Sequence, residues 1–434
     1  MNMHNVAVTE CEQTLVLVDP ISSGIELKHA AKRAGHKVTS IFSIDKELLS
    51  RATQTPVQTL VSGCDHVIDG VDVDSLVSQL HSLPWSVSGV IAASEPGVEL
   101  ADEIAQRLRL PGNRADLSAS RRDKLLMRQA ISHAGLACPA FMECRTHEDL
   151  ASFVSGHEFP LVIKTPRGAA TSYVYCCNNA SEIEHAFNVI LDKPDLFGSS
   201  TKFALVEEYM VGTEYAVNLF ASGSEIVATD VWQYDKVTIG NHRLYRAAIL
   251  CDSRDPTTRL LVEYAKGAAQ AVGIERGSIH AEVMFDTEHG PRLVEIAGRL
   301  SGGGLPFLVR AYSDFDPFAA TVEVFTKGTV PPISPRFHAH LAVALCPTVR
   351  AGIVKEIHGL DEIRNLRSYV SHALHVGPGT ACPASTDLAS IPLTVQLAHW
   401  SNLQLQSDLK AVHELFVVTY EDASTDEGNR LRVG

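Results

Sequence analysis

Ser278-Ile279-His280-Ala281-Glu282-Val283-Met284-Phe285 is followed by the polar turn Asp286-Thr287-Glu288-His289-Gly290-Pro291 and then by Arg292-Leu293-Val294-Glu295-Ile296-Ala297-Gly298-Arg299. Two apolar runs separated by a polar loop containing Gly-Pro predict a β-hairpin. Pairing Phe285 with Arg292 sets Glu282 directly opposite Glu295, and His280 opposite Ala297. Opposed positions have Cβ atoms about 4.5–5.5 Å apart, and like charges there destabilise a sheet unless something neutralises them. Two carboxylates so placed suit a hard divalent cation, and Mg²⁺ typically takes one or two carboxylates together with phosphate oxygens. The alternative is a solvated sheet face. Arg299, four residues beyond Glu295, adds a planar fork of donors suited to phosphate or to a developing oxyanion. The three residues together point to a magnesium–nucleotide site.

Complementary cations lie upstream. Lys164 ends the apolar run Pro160-Leu161-Val162-Ile163 and is followed by Thr165-Pro166-Arg167-Gly168-Ala169-Ala170-Thr171-Ser172. The backbone N–H groups of such a small-residue loop can cover phosphates as an anion nest, although an ordinary turn has the same composition. The spacing GxxxxGK[ST] is missing, which sets P-loop chemistry aside. Beyond Arg299, Ser301-Gly302-Gly303-Gly304 has the small residues that let a ligand approach the backbone closely, so Gly302 and Gly303 are expected beside a substrate. Glu95, at the end of an N-terminal strand, and Lys236, His242, Arg243, Tyr245 and Arg246, read as a loop cluster, are candidate contacts to the ends of a substrate or plain surface residues.

Around this centre the chain divides into three. Leu15 to Val18, His36 to Phe42 and Val90 to Ala93 read as strands alternating with helices at Glu26 to Ala34 and Val98 to Leu108, a doubly wound, mostly parallel α/β domain over residues 1–115. Its ligand edge is expected at the strand C-termini. GxGxxG is absent from the first turn; Ser22-Ser23-Gly24 at a helix start is either an ordinary cap or a weak anion site. A basic amphipathic helix over Ser120 to Ala134, carrying Arg121, Arg122, Lys124 and Arg128, opens an α+β region over 116–330. Its strands are expected at Pro160–Lys164, Phe203–Glu208, Glu214–Phe220, Ser278–Phe285 and Arg292–Ile296, and helices at Ser181–Leu191 and Thr257–Val272. After Pro331-Pro332, residues 331–434 read as a smaller α/β appendage with a helix at Asn402–Leu415 and a polar, frayed end.

Composition narrows the chemistry. A formal charge of −14 would repel a phosphate backbone, and no dense Lys/Arg cluster reverses it locally, so nucleic acid is a poor partner. ATP is not excluded, because a few cations and a metal in a cleft outweigh net charge. Nine scattered cysteines without CxxC spacing read as reduced thiols. No basic n-region precedes an apolar stretch and no apolar run approaches the roughly 20 residues of a spanning helix, which leads to the expectation of a cytoplasmic protein without a membrane partner. A homodimer is left open.

In this order the pieces resemble the ATP-grasp superfamily across about residues 90–330. Lys124 in RRDKLLMRQAISHAGLACP and Lys164 in FPLVIKTPRGAATSYV are similar to the family's two ATP-binding lysines, with Gly168 and Ser172 in the phosphate flap. LVEEYMVGTEYAV is similar to its nucleotide hinge. The resemblance implies backbone pairing with adenine from Glu207, Glu208, Tyr209 and Met210, and binding of the ribose hydroxyls by Glu214. Glu282, Glu295 and Arg299 match the metal-and-arginine end. Many members have EINxR there, with Asn as a further metal ligand, whereas here Ala297 takes that place. VLVDPISSG, SEPGVELADEIAQRLRLPGN and EIAGRLSGGGLP most resemble the L-amino-acid ligases, which make dipeptides or dipeptide-like natural products.

That resemblance implies an ATP-grasp fold, ATP with Mg²⁺ (or Mn²⁺) as cofactors, and ligation of a small carboxylic acid or amino acid to an amine through an acyl phosphate. Arg299 would stabilise the acyl phosphate and the tetrahedral intermediate, with Glu95, Gly302 and Gly303 beside the substrate. His280 would orient the acyl group or take a proton, or play a structural part. Bicarbonate-activating carboxylation, acid–thiol ligation and an inactive nucleotide-binding protein are the alternatives; no biotin-accepting segment supports the first.

Overall fold

A computed structural model describes residues 12–168, 174–192, 201–239, 242–328 and 334–421. Ser172, the Pro331-Pro332 break and the polar C-terminal end lie outside these residues. Strands β1 (Gln13–Val18), β2 (Lys37–Phe42), β3 (His66–Asp69) and β4 (Ser86–Ala92) form a parallel sheet in the order β3-β2-β1-β4. Leu15, Val16, Leu17 and Val18 are all buried, so the run without polar alternation reflects burial on both faces. The order reverses at β1, and the crevice at the C-termini of β1 and β4 faces the rest of the molecule, where such sheets bind ligands. The turns leaving these two strands approach so closely that a Cβ on Gly24 would stand 2.2 Å from the Ala93 carbonyl oxygen.

The expected basic helix over Ser120–Ala134 is corrected. A 3₁₀ helix spans Ala115–Arg121, and the α-helix begins at Lys124, because the Asp123 carboxylate accepts hydrogen bonds from the Leu125 and Leu126 N–H groups and caps it there. The helix carries Lys124 and Arg128, while Arg121 and Arg122 precede it. All four are buried. Arg121 pairs with Asp102 of the first domain and donates to the Arg114, Val272 and Gly273 carbonyls, tying that domain to the sheet beyond.

A small lobe follows, with β5 (Phe141–Cys144), β6 (Leu161–Lys164), β7 (Val174–Cys177) and β8 (Ala204–Glu208) in the order β5-β8-β6-β7, packed on helices His147–Ser155 and Ala180–Asp192. The large sheet has eight strands. Five belong to the central region, β9 (Thr213–Ser222), β10 (Glu225–Ile239), β11 (His242–Leu250), β12 (Arg276–Asp286) and β13 (Gly290–Ala297). β14 (His340–Cys346) joins β11 through Ala247 to Ile249 and brings in β18 (Leu393–His399) and β16 (Tyr369–Leu374). β15 (Gly352–His358), β17 (Ala381–Cys382) and β19 (Val417–Tyr420) make a separate small sheet, and helix Asn402–Leu415 packs on β14 and β18.

The hairpin β12–β13 sets Glu282 opposite Glu295 and His280 opposite Ala297, as the spacing predicts. The anchoring pair is corrected: Phe285 faces Pro291, and Arg292 faces Met284. A bulge leaves Val294 unpaired between the two registers. Also corrected is the loop expected around Lys236 to Arg246, whose described residues lie in the long β10–β11 hairpin with Lys236 opposite Tyr245. No helix among the described residues is long and apolar enough to cross a membrane.

Candidate active site

One face of the large sheet, the crevice edge of the first domain and the end of the small lobe enclose a cavity of about 470 Å³. Eleven of the expected residues line it: Glu95, Lys124, Lys164, Gly168, Glu214, His280, Glu282, Glu295, Arg299, Gly302 and Gly303. Glu207, Glu208, Tyr209 and Met210 do not. Glu207 lies buried behind Lys164, the Glu208 N–H is donated to the Ala140 carbonyl, and the Tyr209 hydroxyl accepts from Arg243. A larger cavity of about 750 Å³, between β10, β11, helix Pro256–Ala271 and residues 334–340, contains none of the expected catalytic groups. The expected charged groups meet in the smaller one.

The phosphate end is built from paired charges. Lys124 Nζ stands 3.1 Å from Glu295 Oε2 and donates to the Gly168 carbonyl at 3.0 Å, so it bridges the sheet and the small-residue loop. Burial raises the Glu295 carboxyl, but Lys124 and Arg299 beside it prevail and hold it down at about 2. The same neighbours act on Lys124 in reverse: burial lowers its amine, while Glu295 and Glu95 raise it further. Lys164 Nζ lies 2.6 Å from Glu207 Oε2, and Arg128 Nε lies 2.7 Å from Glu207 Oε1. One buried carboxylate therefore serves two cations. Burial, only partly offset by Glu207 and reinforced by Arg128, brings the Lys164 amine down to about 8. Glu207 itself is held ionised below its ordinary range, since two cations outweigh its burial.

Glu282 and Glu295 keep 23% and 21% of their side chains open to the cleft. No group of three or more His, Cys, Asp or Glu side chains is gathered for a metal among the described residues. Two carboxylates without a third ligand fit a hard cation that completes its shell with phosphate oxygens and water, and fit poorly a metal held by protein alone. The Ser301–Gly304 loop runs along the same wall. Gly303 and Gly304 have φ of +65° and +78°, and a Cβ on Gly302 or Gly303 would meet nothing within 4 Å, so this wall is open to a ligand. The Ser23 hydroxyl donates to the Ser301 carbonyl at 2.8 Å and joins that loop to the first domain.

The ATP-grasp domain family model matches residues 157–306. Dapdiamide A synthase of Enterobacter agglomerans is 30% identical over 307 residues, 70% of this chain and 71% of that protein. The chain belongs to the ATP-grasp carboxylate–amine ligases. Its fold is that of an L-amino acid ligase from Bacillus licheniformis, with a TM-score of 0.75 at 18% identity, covering 95% of this chain and all of that one. N5-carboxyaminoimidazole ribonucleotide synthetase, solved as its ADP complex, shares the fold with a TM-score of 0.65 at 15% identity, over 93% and 96% of the two chains.

Three further features of the ligase escape sequence reading. Glu95 pairs with both Arg122 and Arg299, the latter at 3.3 Å, so Arg122 is tied through Glu95 to the cleft. Glu214 accepts from Lys236 at 2.6 Å and from the Tyr245 hydroxyl at 2.9 Å. The Tyr245 and Tyr234 phenols are pushed well above their ordinary value, by burial first and then by Glu282 and Glu214, so both stay protonated donors. Finally, His280 Nδ1 lies 2.8 Å from Asn218 Oδ1, and Asn218 donates to the buried Asp230. The available signal was parity: Glu214, Ala216 and Asn218 alternate along β9 on the face that meets the cleft.

Proposed function

We propose that the ligase joins an amino acid or small carboxylic acid to the amino group of an amino acid, through an acyl phosphate, with release of ADP and phosphate. The observation that carries this reading is the meeting of Glu282, Glu295, Lys124, Lys164 and Arg299 in one cleft. It is supported by the likeness to dapdiamide A synthase and to an L-amino acid ligase. The presence of all five charged groups favours an active enzyme over a nucleotide-binding protein without catalysis.

A carboxylate is a poor electrophile, and phosphoryl transfer from ATP turns one of its oxygens into a leaving group. Positioning and charge neutralisation supply most of that catalysis. Lys164 and Lys124 bind the nucleotide phosphates; Lys124 gives up its contact with Glu295 as it turns to them. Glu282 and Glu295 would hold Mg²⁺, which would supply neutralisation of the charge on the transferring group. Arg299 holds the carboxylate oxygens during activation and stabilises the oxyanion formed when the amine attacks. Glu95 balances Arg122 and Arg299 and receives the ammonium end of a substrate. Gly302 and Gly303 leave room for its side chain. The attacking amine must be neutral, and an α-amino group with pKa about 7.7–8.0 is partly so near neutral pH.

The test is a screen of amino-acid pairs with ATP, following ADP and phosphate against AMP and pyrophosphate, with product masses. ADP, phosphate and a condensed product are expected. AMP and pyrophosphate would exclude an acyl phosphate.

A further inference from the structure

Asp230, Asn218 and His280 form a row across three strands. Asn218 on β9 is the direct partner of Asp230 on β10 and of His280 on β12. All three are buried. The Asp230 carboxylate accepts from the Asn218 amide and the Trp232 indole through Oδ1, and from the Thr229 hydroxyl through Oδ2 at 2.8 Å.

The chemistry of this row leaves one arrangement. The Trp232 indole can only donate, so Asp230 Oδ1 accepts, and the Asn218 atom sharing that oxygen is the NH₂ group, with its Oδ1 facing His280. An amide oxygen also only accepts. His280 Nδ1 therefore carries a proton and donates it at 2.8 Å, and Nε2 is the ring nitrogen left to the cleft, 3.5 Å from Glu282 Oε1. Deletion of any link frees the ring to flip, because among the described residues Asn218 alone holds Nδ1.

We propose that Asn218 and Asp230 are positioning residues that lock the His280 ring with Nδ1–H directed inward, so that Nε2 meets the amine nucleophile and turns its lone pair toward the activated acyl carbon. This rests on the amide-forming reading above. The hydrogen bond to Nε2 orders the amine without any bond being made or broken at the ring.

A charge swap tests the row. Asn218→Asp sets two carboxylates against each other, and Asp230→Ala removes the acceptor that fixes the amide. Each is expected to raise the KM for the amine by at least about tenfold, the scale of a charge-assisted hydrogen bond, with KM for ATP within about twofold. The double variant Asn218→Asp/Asp230→Asn restores one donor and one acceptor between the two positions and leaves a carboxylate to accept from His280, while the Trp232 indole gives up its acceptor. Its amine KM should return to within about threefold of wild type, and that recovery should vanish when His280→Ala is added. A double variant with a wild-type unfolding midpoint and no recovery overturns the proposal, as does a recovery that survives His280→Ala. If the single variants do not fold, ¹⁵N spectra of the wild-type imidazoles decide, with the His280 signals assigned by His280→Gln. Protonated Nδ1 and unprotonated Nε2 are expected, and the opposite tautomer overturns the proposal. A wild-type enzyme releasing no ADP with any acid–amine pair would refute the acyl-phosphate reading instead, and the spectra would still decide the row.

Discussion

Two buried carboxylates, Glu95 lining the cleft and Glu207 behind it, each answer to two cations, and the two groups differ mainly in their access to solvent. Glu207 is shared by Arg128 and Lys164, with side-chain exposures of 2%, 0% and 6%, and Arg128 is also fixed to the Val294 carbonyl. Glu95 is shared by Arg122 and Arg299, and the Arg299 side chain is 19% exposed beside the glycine loop. Each group carries one surplus positive charge. In the first it is sealed into the junction between small lobe and sheet, where it aims Lys164 at the phosphate end. In the second a guanidinium can still turn toward a substrate oxygen. The same stoichiometry of charge thus builds a scaffold at one end of the cleft and a working group at the other.

Breaking the sealed group should have the largest effect. Glu207→Gln leaves two buried cations without their counter-ion, and a loss of about 3–5 kcal/mol in urea unfolding is expected; a loss below about 1 kcal/mol would mean the group is not sealed. Arg299→Ala should do the reverse, leaving the unfolding midpoint close to wild type while turnover, read as ADP release, falls about 10²–10³-fold. Glu95→Gln should raise KM for the acid or the amine by about tenfold with little change in KM for ATP, and an equal rise in both would deny the second group its substrate role.

The smallest effect is on pH. With the Lys164 amine at about 8, KM for ATP should climb a few-fold from pH 7 to pH 9 as the ammonium is lost, and Lys164→Arg should flatten that climb. Stability without nucleotide should move the other way. The unfolded chain keeps this lysine protonated up to its ordinary 10.5, so between about 8 and 10.5 the unfolded state binds more protons and this group makes the fold more stable as pH rises. Thermal midpoints of wild type and Lys164→Met across that window would check the sign.

The catalytic hairpin was legible in the sequence because apolar runs, a turn and two opposed glutamates are all local. Glu282 facing Glu295 came out correctly even though Phe285 pairs with Pro291, because the register shift falls after the glutamates. Helix Val98–Leu108 and helix Asn402–Leu415 match their predicted bounds for the same reason of local periodicity. Long-range polar pairing was not legible. Arg121, Arg122 and Arg128 read only as part of a basic amphipathic helix, since nothing near them in sequence reveals their pairing with Asp102, Glu95 and Glu207. The β10–β11 hairpin was hidden by its own charges: Lys236, Arg243 and Arg246 suggest a loop until Glu214, Tyr209 and Asp235 are seen to partner them. The row from Asp230 to His280 spans fifty positions of sequence and exists only once β9 lies between β10 and β12.

The unpaired Val294 has a further consequence. Side chains along a strand alternate, so Leu293 and Glu295 would share a face in an unbroken ladder. Here Leu293 enters the apolar core beneath the sheet with Ile296 while Glu295 opens to the cleft. A single extra residue acts as a phase shift, letting one strand serve an oil-filled side and an ionic side in succession. Deleting Val294 would remove the bulge and make the pairs Val283–Leu293 and Glu282–Glu295 consecutive, so that plain alternation would keep Leu293 inward and Glu295 toward the cleft. In this strand the glutamate's facing is set by its pairing with Glu282 and not by its distance along the chain from Leu293.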